Sequence, residues 1–359
     1  MTNKPMSLLA DLVQIESHRS VDEIREYLVN HVKNARIHEE SGCVVAEKGA
    51  ENGSPHVFLN SHMDVVTPHI PYHEEDGVIY GRGSCDAKGC LATMICALER
   101  VDPADGRMTL VVSPDEETYS EGLYDFLALE GESGDFAING EPTGLDVCNA
   151  ARGSLKYVVE LSGNAAHAGT RDSGRSAVSC AAEAVKRLES MEQMEDDYLG
   201  QSSQTVSWIE GGPVGELTSQ VPEGVRLFVN RWSVPPETPA DFKSKMEREL
   251  SDLDCDIRIR YPYRPNRFLE SYQLDADEPV IKEMVSAVET VTEETPTVKP
   301  FSVAAESSFF QRYMPVAMFG PGEIADDEGP IAHSDGEYLK IAELETAVDV
   351  VEQHLTLAV

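Results

Sequence analysis

Short apolar runs and helix-period segments alternate along the first part of the chain. Val57–Asn60 reads as a buried strand, Leu91–Arg100 as a helix, Met108–Val112 as the next strand and Phe136–Ile138 as another. Such alternation predicts an α/β layer structure with a mostly parallel sheet. Polar residues follow each strand: His62 the first, Asp115, Glu116 and Glu117 the second, Glu141 the third. Open α/β sheets bind ligands beyond the carboxyl ends of their strands, so these groups are expected on one rim.

The period changes near Arg152. "LKYVVELSG" alternates as a half-exposed strand, and "SAVSCAAEAVKRLESM" has helical spacing with small residues on one face. "GVRLFVNRWSV", "DFKSKMEREL" and "CDIRIRYPY" then read as strand, helix and strand. That order predicts an α+β domain inserted over 153–265. Residues 1–152 and 266–359 form the other domain, whose sheet is completed by "PVIKEMVSAVETVT", "MPVAMFG" and "EYLKIAELETAVDVVEQHL" as helix, strand and helix.

Bulk composition narrows the function classes. A chain of 359 residues exceeds a typical single core, which agrees with two domains. Its first residues, "MTNKPMSLLADLVQIES", lack a basic segment followed by a long apolar one, and no run of about 18 apolar residues occurs. A cytoplasmic protein without a membrane span is the expectation. Asp plus Glu number 64 against 29 Lys plus Arg, a net charge of −35. A surface so poor in cations disfavours nucleic acid and anionic membranes as partners, and favours metal ions or cationic substrates. The same charge suits a high-salt cytoplasm, where screening weakens self-repulsion. Seven cysteines, none in a C-x-x-C pair, predict reduced and mostly buried thiols.

Candidate chemistry lies in a set of short motifs. Each has a bland reading alone: "HMD" as surface residues, "GRGSCDAKG" as a glycine loop with Asp86 capping a helix, "SPDEE" as a solvated turn, "AHSDGEYL" as a helix start. Together His62, Asp86, Glu141, His333 and one of Glu116 and Glu117 make a nitrogen and oxygen ligand set suited to borderline divalent ions such as zinc. With one bridging carboxylate, five such ligands can serve two metals about 3.5–4 Å apart. In the tandem Glu116-Glu117, one carboxylate would bind metal while its neighbour handles a proton.

In order along the chain, "HMD", "YGRGSCDAKG", "DEE", "NGEPT", "GNAAHAG", "GPGE" and "AHSDGEYL" resemble metallohydrolase family M20, the group that includes acetylornithine deacetylase, succinyl-diaminopimelate desuccinylase and carboxypeptidase G2. The resemblance implies a zinc-exopeptidase-like catalytic domain, an inserted lid that also dimerises, and two divalent ions, zinc first, cobalt or manganese otherwise. It implies that His62 and Glu141 hold one ion, Glu117 and His333 the other, and that Asp86 bridges them. Asp64 would orient His62, and Glu116 would be general base and acid. His167, in "GNAAHAG", would reach the partner's site and stabilise the oxyanion. The implied reaction removes the acyl group from a small N-acyl amino acid.

Within the family, "SHMDVVTPHIP" and "GEPTGLD" resemble acetylornithine and acetyl-lysine deacetylases of amino-acid biosynthesis, and the short chain, Glu306 and the acidity make N-acetyl-L-ornithine the expected substrate. N-acetylcitrulline, N-acetyl-lysine, succinyl-diaminopimelate and dipeptides are the alternatives, and an inert metal-binding dimeric scaffold is the non-enzymatic one. "VAAESSFF" resembles a Thr-Glu-Ala variant with Glu306 at its acidic position and Ala305 in place of Thr, which makes Glu306 a candidate for a substrate ammonium. Arg231, in "VNRW", is the candidate for a substrate carboxylate, with an ion pair on the lid sheet as its other reading.

Overall fold

The computed structural model describes residues 5–212, 219–261 and 269–359. The chain divides into two compact units: Met1–Ala151, Gln273–Phe301 and Ala305–Val359 form the first, Arg152–Tyr272 and Ser302–Ala304 the second. The second therefore runs past Pro265, because Leu269 bridges Ser154 antiparallel.

In the first unit the chain forms α1 (Pro5–Gln14), α2 (Asp22–His31), β1 (Arg36–Glu40), β2 (Cys43–Gly49), β3 (His56–His62), β4 (His73–Glu75), β5 (Val78–Tyr80), α3 (Lys88–Arg100), β6 (Arg107–Ser113), α4 (Glu121–Glu130), β7 (Phe136–Asn139) and β8 (Val147–Ala151). The second contributes β9 (Gly153–Ser162), α5 (Ala177–Glu189), β10 (Glu195–Asp196), β11 (Gly200–Gln201), β12 (Ser203–Gly211), β13 (Gly224–Ser233), α6 (Pro239–Glu249) and β14 (Asp256–Arg260). The chain then makes β15 (Tyr272–Gln273), α7 (Pro279–Thr292), β16 (Val298–Phe301), α8 (Ser307–Phe310), β17 (Val316–Met318), β18 (Ala325–Asp326), β19 (Gly329–Pro330), β20 (Tyr338–Lys340) and α9 (Ile341–Ala358).

The main sheet has strand order β1-β2-β6-β3-β7-β17-β8-β15, with β16 on β8. Its centre, β6-β3-β7-β17, is parallel, and β1 and β2 add antiparallel strands at one side. Every residue of β3 is buried, as a strand covered on both faces requires. Against the sheet lie α3, buried from Lys88 to Leu98, and α9, whose Leu344, Ala347, Val348, Val351 and Leu355 recur at helical spacing. Parallel register sets the functional rim. His62 pairs with Ser113 and Asn60 with Asn139, so three neighbouring strands end together, and residues 115–117 and Glu141 follow at once.

The last predicted helix splits. Tyr338–Lys340 pairs with β5, and the helix begins only at Ile341. No helix among the described residues is long and apolar enough to cross a membrane.

In the second unit, four antiparallel strands in the order β12-β13-β9-β14 pack with α5 and α6 around Leu155, Tyr157, Val159, Leu227, Val229 and Phe242. Strand β9 is central and mostly buried rather than half-exposed. Cys180 on α5 and Cys255 before β14 form a disulfide, with Cα atoms 6.5 Å apart and a sequence separation of 75. This corrects the expectation of reduced thiols: the fold pairs two cysteines whose spacing carried no signal. The other five are free and buried.

Candidate metal centre

Five of the predicted ligands converge in the first unit. His62, Asp86 and Glu141 form one group, Asp86, Glu117 and His333 a second, and within each the ligand atoms lie within 4.8 Å of one another. Asp86 is common to both, through Oδ1 at 3.3 Å from His62 Nε2 and Oδ2 at 3.4 Å from His333 Nε2. His333 Nε2 also meets Glu117 Oε1 at 2.9 Å. A third group, His62, Glu116 and Glu117, brings the tandem acids to the same place.

Local structure explains each position. His62 is the last residue of β3, and its Nδ1 lies 2.9 Å from the main-chain oxygen of Asp64. That contact makes Nδ1 a donor and aims Nε2 at Asp86, so Nε2 is the atom that could ligate a metal once it has no proton. The Asp64 carboxylate lies farther, 3.4 Å from Nδ1. Its oxygens instead accept the backbone N–H groups of Glu116 and Glu117, both at 3.1 Å. Asp64 thus orients His62 mainly through its peptide, and spends its carboxylate on the acidic turn. Asp115 fixes the other side of that turn by accepting N–H groups from Glu121 and Gly122.

Asp86 ends a glycine-rich loop. Two residues on, the buried Lys88 donates from Nζ to the carbonyls of Leu12 and Ile15, at 3.0 and 2.7 Å, and closes the C-terminal end of α1. Burial pulls its pKa down to about 7. Across the loop sits Glu337, a buried acid to which the motifs assigned no role. Its position four residues after His333 is its sequence signal. His333 itself adopts φ +62°, a left-handed conformation uncommon for a residue with a β-carbon.

The groups perturb one another strongly. Burial, then crowding by neighbouring carboxylates against the pull of His62, raises Glu116 and Glu141 well above the usual carboxylate range. Glu117 is raised by burial as well. Burial opposes the ionised form of Asp86 too, but hydrogen bonds from His333 and His62 win and hold it well below that range. His333 is pushed up to about 10 by Asp86 and Glu117. Four carboxyl groups around two imidazoles repel one another when ionised, and divalent cations would relieve that repulsion with donors of the right kind.

The two residues predicted to contact substrate, Glu306 and Arg231, are both buried among internal partners. Glu306 is 1% exposed, and its Oε2 lies 2.5 Å from Ser113 Oγ and 3.4 Å from Asn60 Nδ2, beneath the strand ends. Burial raises its pKa to about 8, which favours the protonated acid. Arg231 lies in the second unit with a fully buried guanidinium. Nε and Nη2 pair with Glu237 at 2.7 and 3.0 Å, Nη1 donates to Gln193 and Gln204 at 2.6 and 2.7 Å, and the group stands 4.7 Å over the Phe242 ring. The ion-pair reading is the one this geometry fits, since a substrate carboxylate would have to displace internal partners.

His167, also in the second unit, is exposed on a turn. Its Nδ1 accepts the N–H of Gly169 at 3.1 Å, so the ring proton sits on Nε2. "SQVP" pairs with this turn: Ala168 N donates to Ser219 O and Val221 N to Ala166 O.

A model of the family described as Peptidase family M20/M25/M40 matches residues 58–356. Among curated proteins, the chain is 27% identical over 361 residues to an uncharacterised metallohydrolase of Methanocaldococcus jannaschii, covering 97% of this chain and 96% of that one. It is 26% identical to a putative LysW-lysine/LysW-ornithine hydrolase of Pyrobaculum aerophilum, covering 96% and 95%. Among solved structures, an M20 family metallo-carboxypeptidase from Sulfolobus solfataricus superposes with a TM-score of 0.78 at 17% identity over 99% of both chains. A tripeptidase from Staphylococcus aureus gives 0.75 at 20% identity over 100% of this chain and 99% of its own.

Proposed function

The chain belongs to peptidase family M20/M25/M40, a metal-dependent hydrolase of linear amide or peptide bonds, and on that premise we propose that it removes the acyl group from an N-acylated ornithine or lysine. The observation that carries the catalytic part is the pair of ligand groups sharing Asp86. His62 and Glu141 would hold one divalent ion, Glu117 and His333 the other, with Asp86 between. Zinc suits this donor set, and cobalt or manganese fit the same atoms. Divalent ions bound there supply Lewis acidity toward the scissile carbonyl and lower the pKa of water.

Glu116 carries the proton chemistry in this reading. The two groups that share Asp86 use five side chains and leave Glu116 beside them, on a turn that Asp64 fixes. Glu116 takes the proton from the attacking water and returns it to the leaving amine. His167 from a second copy of the chain, in a homodimer, donates its Nε2–H to the oxyanion. Its exposed turn and its tautomer support that role.

Ornithine or lysine as the leaving amine rests on two supports. The motifs "SHMDVVTPHIP" and "GEPTGLD" resemble acetylornithine and acetyl-lysine deacetylases, and the Pyrobaculum relative is named for lysine and ornithine conjugates. N-acetyl-L-ornithine is the first candidate, in amino-acid biosynthesis. Peptide hydrolysis is the second reading, favoured by fungal relatives named as probable carboxypeptidases, 26% identical over 94% of this chain. Turnover is to be compared on N-acetyl-ornithine, N-acetyl-lysine, N-acetylcitrulline, N-succinyl-diaminopimelate and free dipeptides. Higher kcat/KM on the ornithine and lysine compounds is expected. Preference for dipeptides would overturn the acyl-amino-acid reading.

A further inference from the structure

Glu337 and Arg82 form an ion pair in which both side chains are at most 1% exposed, with Nη1 and Oε2 2.5 Å apart. Glu337 Oε1 accepts three backbone N–H groups, from Gly83 at 2.9 Å, Cys85 at 3.2 Å and Asp86 at 3.0 Å. Gly83 makes the convergence possible. It adopts φ +84°, and a β-carbon there would stand 2.7 Å from Val65 Cγ1. The loop is therefore a backbone nest of the sort that binds free anions, and the anion in it is the chain's own carboxylate. Arg82 extends the connection, donating from Nε to Pro68 O at 3.1 Å and from Nη2 to His333 O at 3.4 Å.

Two of the five candidate ligands thus hang from one ion pair by their main chains. Asp86 is held through its N–H and His333 through its carbonyl, each by a partner 251 positions away along the chain. A buried pair contributes little net stability against apolar side chains of the same volume, so stability alone does not account for this one. We infer that Arg82 and Glu337 are positioning residues that set Asp86 against His333, and thereby fix how tightly the two groups sharing Asp86 hold a pair of divalent cations. The inference rests on the metal reading above. Neither side chain is among the groups that converge on the centre, so the pair acts through the ligands it holds.

The test is a zinc titration of the full-length chain, freed of metal, against a chromophoric chelator, with circular dichroism recorded on the same samples. Glu337→Gln keeps the volume, removes the charge and turns one acceptor into a donor facing N–H groups. Roughly 10- to 100-fold weaker binding of both ions is expected, as for other partners of metal ligands, with the spectrum of the fold unchanged. Arg82→Lys keeps a cation but cannot span Pro68, His333 and Glu337 together, and should weaken one ion, that of the His333 group, more than the other. A folded Glu337→Gln protein with wild-type affinities would reduce the pair to a structural one. If that variant does not fold, Arg82→Lys decides, and unchanged affinities for both ions overturn the inference. Failure of the wild-type chain to bind two ions would instead remove the metal reading itself.

Discussion

The carboxylate of Asp64 accepts the backbone N–H of Glu116 at 3.1 Å, with the N–H of Glu117 at the same distance from its other oxygen. One acid thus clamps the proposed base and a proposed ligand by their peptides, while its own peptide oxygen holds His62. Asp64→Asn would set an NH2 group against one of those N–H groups and leave the His62 contact intact. A fall in kcat/KM of roughly 10- to 100-fold is expected, with His62 still ligating. Steady-state kinetics with metal content measured in parallel checks it, and unchanged kinetics would show that the clamp is dispensable.

Glu116→Gln is expected to keep both ions and lose turnover by roughly 10²- to 10⁴-fold, the usual scale for a positioned acid–base group. Elemental analysis and kcat give the two halves of the result. Wild-type turnover in this variant would remove Glu116 as the base.

Arg231 offers a test by stability. Replacing it alone with Met leaves Glu237 buried beside only the partly exposed Lys245, and should cost about 3–5 kcal/mol. The double variant Arg231→Met with Glu237→Met should recover most of that loss. Denaturant unfolding of the four proteins closes the cycle. A large rise in KM in a double variant of wild-type stability would restore the substrate-carboxylate role.

Acid stability should carry the mark of His354. The residue is buried on α9, edge-on to Phe136 with ring centroids 5.5 Å apart, and burial lowers its pKa from 6.5 to about 4. The unfolded chain binds a proton below about pH 6.5 and the folded one only near pH 4, so stability falls as pH drops through that window. His354 alone contributes about 3 kcal/mol to that fall. His354→Leu should flatten the profile of Tm against pH between those values, and an unaltered slope would contradict a neutral buried imidazole.

The rim that carries the candidate ligands was legible because parallel strands betray their ends. His62, Glu116, Glu117 and Glu141 follow apolar runs, and the register of β3 with β6 and β7 brings those ends level. What the sequence hid was pairing at long range. Glu306 sits in a motif that suggests an exposed acid, but Ser113 and Asn60, each on another strand, draw it inward. Arg231 reads from its sequence as either a substrate contact or an ion pair, and its partners Gln193, Gln204 and Glu237 lie 38, 27 and 6 positions away. Cys180 and Cys255 meet only once α5 packs on the sheet. In each case the partner is set by tertiary packing, which local spacing does not encode.

The ammonium of Lys88, seated on the last carbonyls of α1, makes the first helix more than a lid on the hydrophobic core. Its segment supplies no catalytic group, yet its peptide oxygens are the electrostatic counterpart of a residue two positions from Asp86. A change at position 88 would leave the carbonyls of Leu12 and Ile15 without this donor. Removal of α1 would leave the buried Lys88 Nζ without either acceptor, two residues from Asp86.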